Sequence, residues 1–392
     1  MVYQEVVVKN SRIANIQRKH PWIFSGGIIS HSDCEDGDLV EVSSQSGDFL
    51  AMGYFQHGSI MVRILSFEKE AIDQEFWDRK IQDAVNLRKD INLPNQSTNV
   101  YRLVHGEGDG LSGLVIDVYN NVAVIQCHSV GMHLLRQNIA NALIANLEES
   151  IETIYVKSGN TLPRDYAANN PDEFLKGRAV EVEVKEYDSS FNIDIVNGQK
   201  TGFFIDQREN RKLLQQYIKD KSVLNLFSYT GGFSIYALNG GVGSVTSVDV
   251  SQRAMDTCDQ NVALTGQGDL HTSLTVDVNE YLSEIESNKY DVIIVDPPAF
   301  AKSARKSHNA IQAYKRLNIA AIKKIKKGGL IFTFSCSQVI DTVLFYNTIT
   351  AAAIEAGRTC QVLHRLSQGP DHPVSIFHPE GKYLKGLVLR IT

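Results

Sequence analysis

Residues 222–240 read SVLNLFSYTGGFSIYALNG, and they decide the fold. A short apolar run reaches Leu226 and stops at a turn, Phe227-Ser228-Tyr229-Thr230-Gly231-Gly232, after which a helical pattern begins. Paired glycines let a backbone approach a ligand closely at such a turn. The same strand–turn–helix unit then recurs. VTSVDV is a strand, and SQRAMDTCDQNVALTG is an amphipathic helix opened by the N-cap candidate Ser251. SLTVDV, YDVIIVDPP and GLIFTFSC are further strands, spaced by helical stretches. Alternation of this kind predicts an α/β domain with a mostly parallel sheet covered by helices on both faces.

In open α/β sheets ligands bind at the carboxyl ends of the strands. The ends here carry a consistent set of groups. The first strand leads into the Phe227–Gly232 turn, and the second ends in Asp249, about 20 residues on, where nucleotide folds place a carboxylate for ribose hydroxyls. The third ends in Asp277, the fourth in Asp296-Pro297-Pro298, and the fifth in Ser335-Cys336-Ser337. One such Asp is commonly just a helix cap; the ordered set points to a nucleoside-containing cofactor. The turn lacks the GxGxxG spacing of a pyrophosphate cradle, so a cofactor without phosphates, such as S-adenosylmethionine, fits better.

Two regions precede this one. VEVSSQSGDFLAMGYFQHGSIMVRILSF alternates apolar and polar residues with glycine breaks, which predicts a small antiparallel barrel over residues 1–70. Phe76, Ile81, Ala84, Val85 and Leu87 recur at helical spacing and open a mixed α+β middle domain, 71–187, with a second helix expected over Met132 to Leu147. The α/β domain then takes 188–392. No apolar run approaches a membrane span, and the start, MVYQEVVVKNSR, does not read as a secretory signal. Five cysteines without a CxxC pair or metal-ligand spacing argue for a reducing compartment, hence the cytoplasm, and for no metal site. The net charge of -6 decides nothing, because basic residues cluster locally: Lys9, Arg12, Arg18, Lys19 and His20, then Lys302, Arg305 and Lys306, then Lys315, Arg316, Lys323, Lys324, Lys326 and Lys327. Any one cluster also reads as a solvated face.

FSYTGGFSIYA, SVDVS, TVDVNEYL, VDPPAF and FTFSCS resemble the motifs of class I S-adenosylmethionine-dependent methyltransferases with a Rossmann-like sheet. Over essentially the whole chain the sequence is similar to the RlmI-like 23S rRNA 5-methylcytosine methyltransferases. HPWIFSGGI resembles the start of that family's N-terminal PUA domain, an RNA-binding barrel, and GEGDGLSGLVIDVY, GQKTGFFIDQRENR and DHPVSIFHPEGKYLKGLVLRI are family-like too. The resemblance implies S-adenosylmethionine as cofactor and large-subunit rRNA or a ribosomal subunit precursor as partner. It implies no membrane, and leaves oligomeric state open, a homodimer included. Phe227, Ser228, Tyr229, Thr230 and Gly231 would pass the methionine end of the cofactor, Asp249 its ribose, and Asp277 its adenine amino group. Asp296 would stand where methyl donor and target base meet. Gln207 and Arg208 would line the same pocket, Arg208 meeting the cofactor carboxylate.

A cytosine methylase gives Cys336 a purpose. Carbon 5 of cytosine is too weak a nucleophile to take a methyl group directly, and a thiolate adding to carbon 6 activates it. The simpler role for Cys336 is packing, since thiols behave as small buried hydrophobes; Cys34, Cys127, Cys258 and Cys360 are read that way. The turn VDPPAF has no second cysteine, and Ala299 stands where the family often has lysine. Two alternatives stay open: an rRNA guanine-N methyltransferase of a related family, which needs no nucleophile, and a non-catalytic RNA-binding assembly factor. Phe300 and Tyr314 are candidates for stacking on a base, with core packing the commoner role for both.

Overall fold

Val6, Val8, Val40, Val42, Ala51, Phe55 and Val62 alternate along their strands into one interior, as period-two patterning requires. In the computed structural model, which describes residues 3–147, 150–301 and 303–392, these strands are β1 (Gln4–Val8), β2 (Trp22–Phe24), β3 (Ile28–His31), β4 (Leu39–Ser43), β5 (Phe49–Phe55) and β6 (Ile60–Ser66). They form one sheet in the order β2-β6-β5-β4-β1-β3. The antiparallel expectation fails at one place: β1 and β4 pair in parallel. A parallel pair needs a long crossover, and helix α1 (Asn10–Gln17) with β2 and β3 supplies it.

Helix α2 (Gln74–Asp90) follows, its N-terminus capped by the Asp73 carboxylate accepting the Phe76 N–H at 3.2 Å. Phe76, Trp77, Ile81, Ala84 and Val85 form its buried stripe. They pack in one core with a sheet ordered β11-β10-β9-β8-β7, built from β7 (Val100–His105), β8 (Leu114–Tyr119), β9 (Val122–Cys127), β10 (Thr153–Val156) and β11 (Glu173–Lys176). The expected second helix is two, α3 (Val130–Leu134) and α4 (Arg136–Leu147), and α5 (Arg164–Asn169) is short. Beside this core lies a buried ionic cluster. Arg88, 1% exposed, forks onto both oxygens of Asp109 and donates to the Asp371 carbonyl at 2.8 Å, while Arg102 forks onto Asp117 and gives its backbone N–H to the Asp371 carboxylate at 3.0 Å.

Asp371 arrives from far along the sequence. The chain divides into two units: Met1–Val184 with Ile193–Phe203 and Pro370–Gly381, and Lys185–Asn192 with Phe204–Gly369 and Lys382–Thr392. The expected boundary at 187/188 falls in the turn of the hairpin β12 (Glu181–Glu186) and β13 (Ser189–Asp194), where Tyr187 and Asp188 have positive φ. Nothing in local pattern announced that 370–381 joins the first unit.

The second unit is the doubly wound domain. After α6 (Arg208–Leu214) come β14 (Ser222–Leu226), α7 (Gly232–Asn239), β15 (Ser244–Asp249), α8 (Gln252–Leu264), β16 (His271–Thr275), α9 (Val278–Glu284), β17 (Val292–Val295), α10 (Ser307–Lys324), β18 (Leu330–Ser335), α11 (Thr342–Ala356), β19 (Cys360–Ser367) and β20 (Lys385–Ile391). The sheet order is β16-β15-β14-β17-β18-β20-β19. Strands β14 to β18 are mutually parallel, and β20 lies antiparallel between β18 and β19. Leu224, Leu226, Ile293, Val295 and Ile331 pack with Leu282, Tyr314, Leu317 and Phe345 from α9, α10 and α11; α7 and α8 pack against β14, β15 and β16. Strand order reverses between β14 and β17, so the crevice at their carboxyl ends is the expected ligand site. Among the described residues no helix is long and apolar enough to cross a membrane.

Candidate active site

The turn after β14 is bent into unusual backbone. Phe227 and Tyr229 have φ of 57° and 48°, and Gly231 has 85°. Left-handed backbone at bulky residues costs on the order of 1–3 kcal/mol each and persists only where surrounding contacts fix it. Here they do. The Ser228 N–H donates to the Val248 carbonyl at 3.1 Å, Gly231 N–H to the Ser228 carbonyl at 2.9 Å, and Tyr229 N–H to Asp249 Oδ2 at 3.0 Å. Asn261 Nδ2 holds the Thr230 carbonyl at 3.0 Å. Glycine is required at 231 on two counts: its positive φ, and a Cβ there would stand 2.6 Å from the Cys258 sulfur on α8.

Asp249 closes β15, half-buried, with Oδ1 accepting the Ser251 N–H at 2.9 Å. Each of its oxygens has one backbone donor and keeps a second acceptor site. Ser251 caps α8 as expected, accepting the Ala254 N–H at 3.3 Å. Asp277 lies two residues past β16 and caps α9 through Oδ1, which accepts from Asn279 at 2.8 Å and Glu280 at 3.2 Å. The cap occupies one oxygen of an exposed carboxylate.

Asp296 follows β17 directly, and Gln207 Nε2 donates to its Oδ2 at 2.9 Å. Gln207 is itself oriented by Asn210, whose Nδ2 donates to Oε1 at 2.7 Å. The structure thus brings Gln207 to Asp296. Arg208, 1% exposed, bonds Glu209 from its guanidinium at 3.1 Å, and Glu209 also accepts the Tyr187 hydroxyl at 2.9 Å.

Cys336 comes immediately after β18 and is half-buried. The next residue ties its loop to the Asp-Pro-Pro loop, Ser337 Oγ donating to the Ala301 carbonyl at 2.8 Å. Both acidic groups reach Tyr314: burial raises its phenol pKa, and the nearby Cys336 and Asp296 raise it further. Tyr314 is fully buried, 4.7 Å from the Phe300 ring and 6.0 Å from Phe345, which makes it a core residue rather than a stacking platform. Arg305 and Lys306 are exposed, and Lys302 lies outside the described residues.

One side chain at this end of the sheet escaped the sequence reading. Lys385, 4% exposed, starts β20 opposite Ser335, and its Nζ donates to the Ser337 carbonyl at 2.6 Å. Burial pulls its pKa down to about 8, against the opposing pull of Cys336 and Asp341. The available signal was a lysine inside an otherwise apolar strand, LKGLVL.

Comparison with known proteins gives this arrangement a lineage. Residues 155–389 match the family model of S-adenosylmethionine-dependent methyltransferases, and residues 6–67 match that of a PUA-like domain. The ribosomal RNA large subunit methyltransferase I of Alteromonas mediterranea is 41% identical over 99% of both chains, and that of Vibrio vulnificus is 38% identical over 98% of this chain and 99% of its own. Among solved structures, a putative S-adenosylmethionine-dependent methyltransferase from Streptococcus mutans superposes with a TM-score of 0.84 at 22% identity, covering 98% of this chain and 99% of its own. A putative methyltransferase complexed with SAH gives 0.85 at 22%, covering both chains fully. The residues present fit that cofactor. Thr230 Oγ1 is buried in the turn with no hydrogen-bond partner among the described residues, and a carboxylate with spare acceptor sites ends the adjacent strand. The chain belongs to the S-adenosylmethionine-dependent methyltransferases and, within them, to the ribosomal RNA large subunit methyltransferase I family.

Proposed function

We propose that this methyltransferase acts on large-subunit (23S) ribosomal RNA and methylates carbon 5 of a cytosine through a covalent bond between Cys336 and carbon 6. The observation that carries the reading is a thiol at the end of β18 whose loop is tied to the Asp296 loop at the end of β17. A guanine-N enzyme has no use for a nucleophile there, and the names of the relatives supply the RNA.

S-adenosylmethionine, when bound, supplies a methyl group on a positively charged sulfur. Phe227 to Gly231 and Thr230 Oγ1 would receive its methionine end, Asp249 its ribose hydroxyls and Asp277 its adenine amino group. Cys336 Sγ adds as thiolate to carbon 6, and the ring electrons released make carbon 5 the nucleophile that takes the methyl. The carbon-5 proton then leaves to a base, the Sγ–C6 bond breaks, and the electron pair returns to sulfur. Asp296, held by Gln207, accepts from the cytosine amino edge and keeps the ring in register. An internal cytosine must leave its stack to get there, at a cost of a few kcal/mol; Lys9, Arg12, Arg18 and Lys19 are available to phosphates on the PUA-like domain.

Asp249→Ala is expected to raise the S-adenosylmethionine Kd by about 10- to 100-fold, the worth of one charge-assisted hydrogen bond of about 1.5–3 kcal/mol. Isothermal titration reads it, and an unchanged Kd removes Asp249 from the cofactor site. The reaction itself is tested with 23S rRNA tritiated at cytosine carbon 5. Release of tritium with each methyl transferred supports the reading. Methyl incorporation without release moves the target to another atom.

A further inference from the structure

The thiol chemistry just proposed sets a requirement on the sulfur. An ordinary cysteine, with a pKa of about 8.5, is only slightly ionised at neutral pH, and the thiolate is the nucleophile. Of the basic residues near the Asp-Pro-Pro turn, Arg305 and Lys306 are exposed, and neither touches the Cys336 loop by any described bond. Lys385 is in a different situation. Its partner in the β18–β20 ladder is Ser335, the residue before Cys336, and its ammonium bonds the carbonyl of Ser337, the residue after it. A buried lysine is costly unless something compensates its charge. One carbonyl satisfies one of its three protons.

We infer that Lys385 is a positioning residue that holds Cys336 as the thiolate, its ammonium clamped to the Ser337 carbonyl and its charge directed at the sulfur between Ser335 and Ser337. The inference rests on Cys336 being the nucleophile, and it adds what makes the nucleophile competent. Within the pair Cys336 favours the charged lysine; outside it Asp341 favours it too, Lys382 and burial disfavour it, and Tyr314 on α10 faces the sulfur. The balance leaves Lys385 titrating about 8, so the ammonium persists at neutral pH. The antiparallel strand acquires a role by this route. Running antiparallel to β18, it enters the crevice end of the sheet with its amino terminus, so a side chain at its first residue stands beside the last residue of β18.

The test reads the sulfur and needs no RNA. The rate of iodoacetamide alkylation at Cys336 is followed by peptide mass spectrometry from pH 5 to 10; peptide-level readout separates it from Cys360, and Cys34, Cys127 and Cys258 are buried. In the unmodified protein the midpoint is expected below the ordinary thiol value of about 8.5. Lys385→Gln and Lys385→Met should raise it by about one to three pH units, and Lys385→Arg, which keeps the charge, should restore most of the shift. A midpoint at or above 8.5 in the unmodified protein overturns the inference without any variant having to fold. An unmoved midpoint in a folded Lys385→Met protein overturns it too. Methylation by Cys336→Ala separates the two ideas. A lowered, Lys385-dependent midpoint with methylation retained in Cys336→Ala sustains the ion pair and sinks the nucleophile. An ordinary midpoint with methylation lost in Cys336→Ala does the reverse.

Discussion

Cys336→Ala is expected to lose methyl transfer to 23S rRNA by roughly 10,000-fold or more, the scale on which removal of a covalent nucleophile acts, with S-adenosylmethionine affinity unchanged. That is about 5.5 kcal/mol of transition-state stabilisation at 1.36 kcal/mol per tenfold. Misfolding does not account for a loss of this size. Cys336 is half-buried in a loop held by Ser337, through its bonds to Ala301 and Lys385, and removing one sulfur there costs at most about 1 kcal/mol. Cofactor binding serves as the internal control, because the proposed contacts to S-adenosylmethionine lie on β14, β15 and the cap of α9, not on β18. Single-turnover methylation with tritiated methyl donor gives the rate, and calorimetry gives the Kd. Cys336→Ser should be as inactive as alanine, since a hydroxyl is far harder to ionise than a thiol. A Cys336→Ala rate equal to the unmodified one would sink the covalent mechanism and return this residue to packing.

The parts of the fold legible in the sequence are those specified by local period and local caps. Ser251, the β14 turn and the carboxylates at Asp249 and Asp296 are each readable within a window of one strand and one helix, and each stands where that window puts it. Asp277 was read as a strand end; it is two residues beyond, because β16 stops at Thr275 and the carboxylate serves as the cap of α9. What escaped depends on partners distant in sequence. The parallel pairing of β1 with β4 follows from how α1, β2 and β3 carry the chain, and a single polar-faced helix such as α1 gives a weak periodic signal. Gln207 reaches Asp296 across 89 residues of sequence, a pairing no local window contains, while Arg208 beside it bonds Glu209. Lys385 was visible as an anomaly, a lysine leading an apolar strand, and had no meaning until β20 was seen to lie against β18.

The same distance in sequence sets the second large expectation. Arg88→Met is predicted to destabilise the first unit by about 3–5 kcal/mol, because it leaves the Asp109 carboxylate buried without its counter-charge. Arg88 and Asp109 side chains are 1% and 4% exposed, so water cannot take the place of the guanidinium. The loss extends beyond the pair. Arg88 also bonds the carbonyls of Arg102 and Asp371 at 2.8 Å each, and so holds the 370–381 segment to α2 and β7. The segment has no slack there: a Cβ on Gly108 would meet the Pro373 carbonyl oxygen at 1.9 Å. For a unit of about 200 residues, 3–5 kcal/mol lowers Tm by about 6–20 °C, measurable by calorimetry. A cycle with Asp109→Asn assigns the cause, since asparagine removes the charge while still offering an oxygen to the His105 N–H that Asp109 accepts at 2.6 Å. Adding Asp109→Asn to Arg88→Met should therefore recover part of the lost stability; a double variant no more stable than Arg88→Met alone would assign the loss to the broken carbonyl contacts instead. Because the chain returns from this segment at Lys382 and enters β20 at Lys385, loosening it by Arg88→Met should also raise hydrogen exchange at residues 370–381 above that of α2 and β7, where the remaining contacts are unchanged.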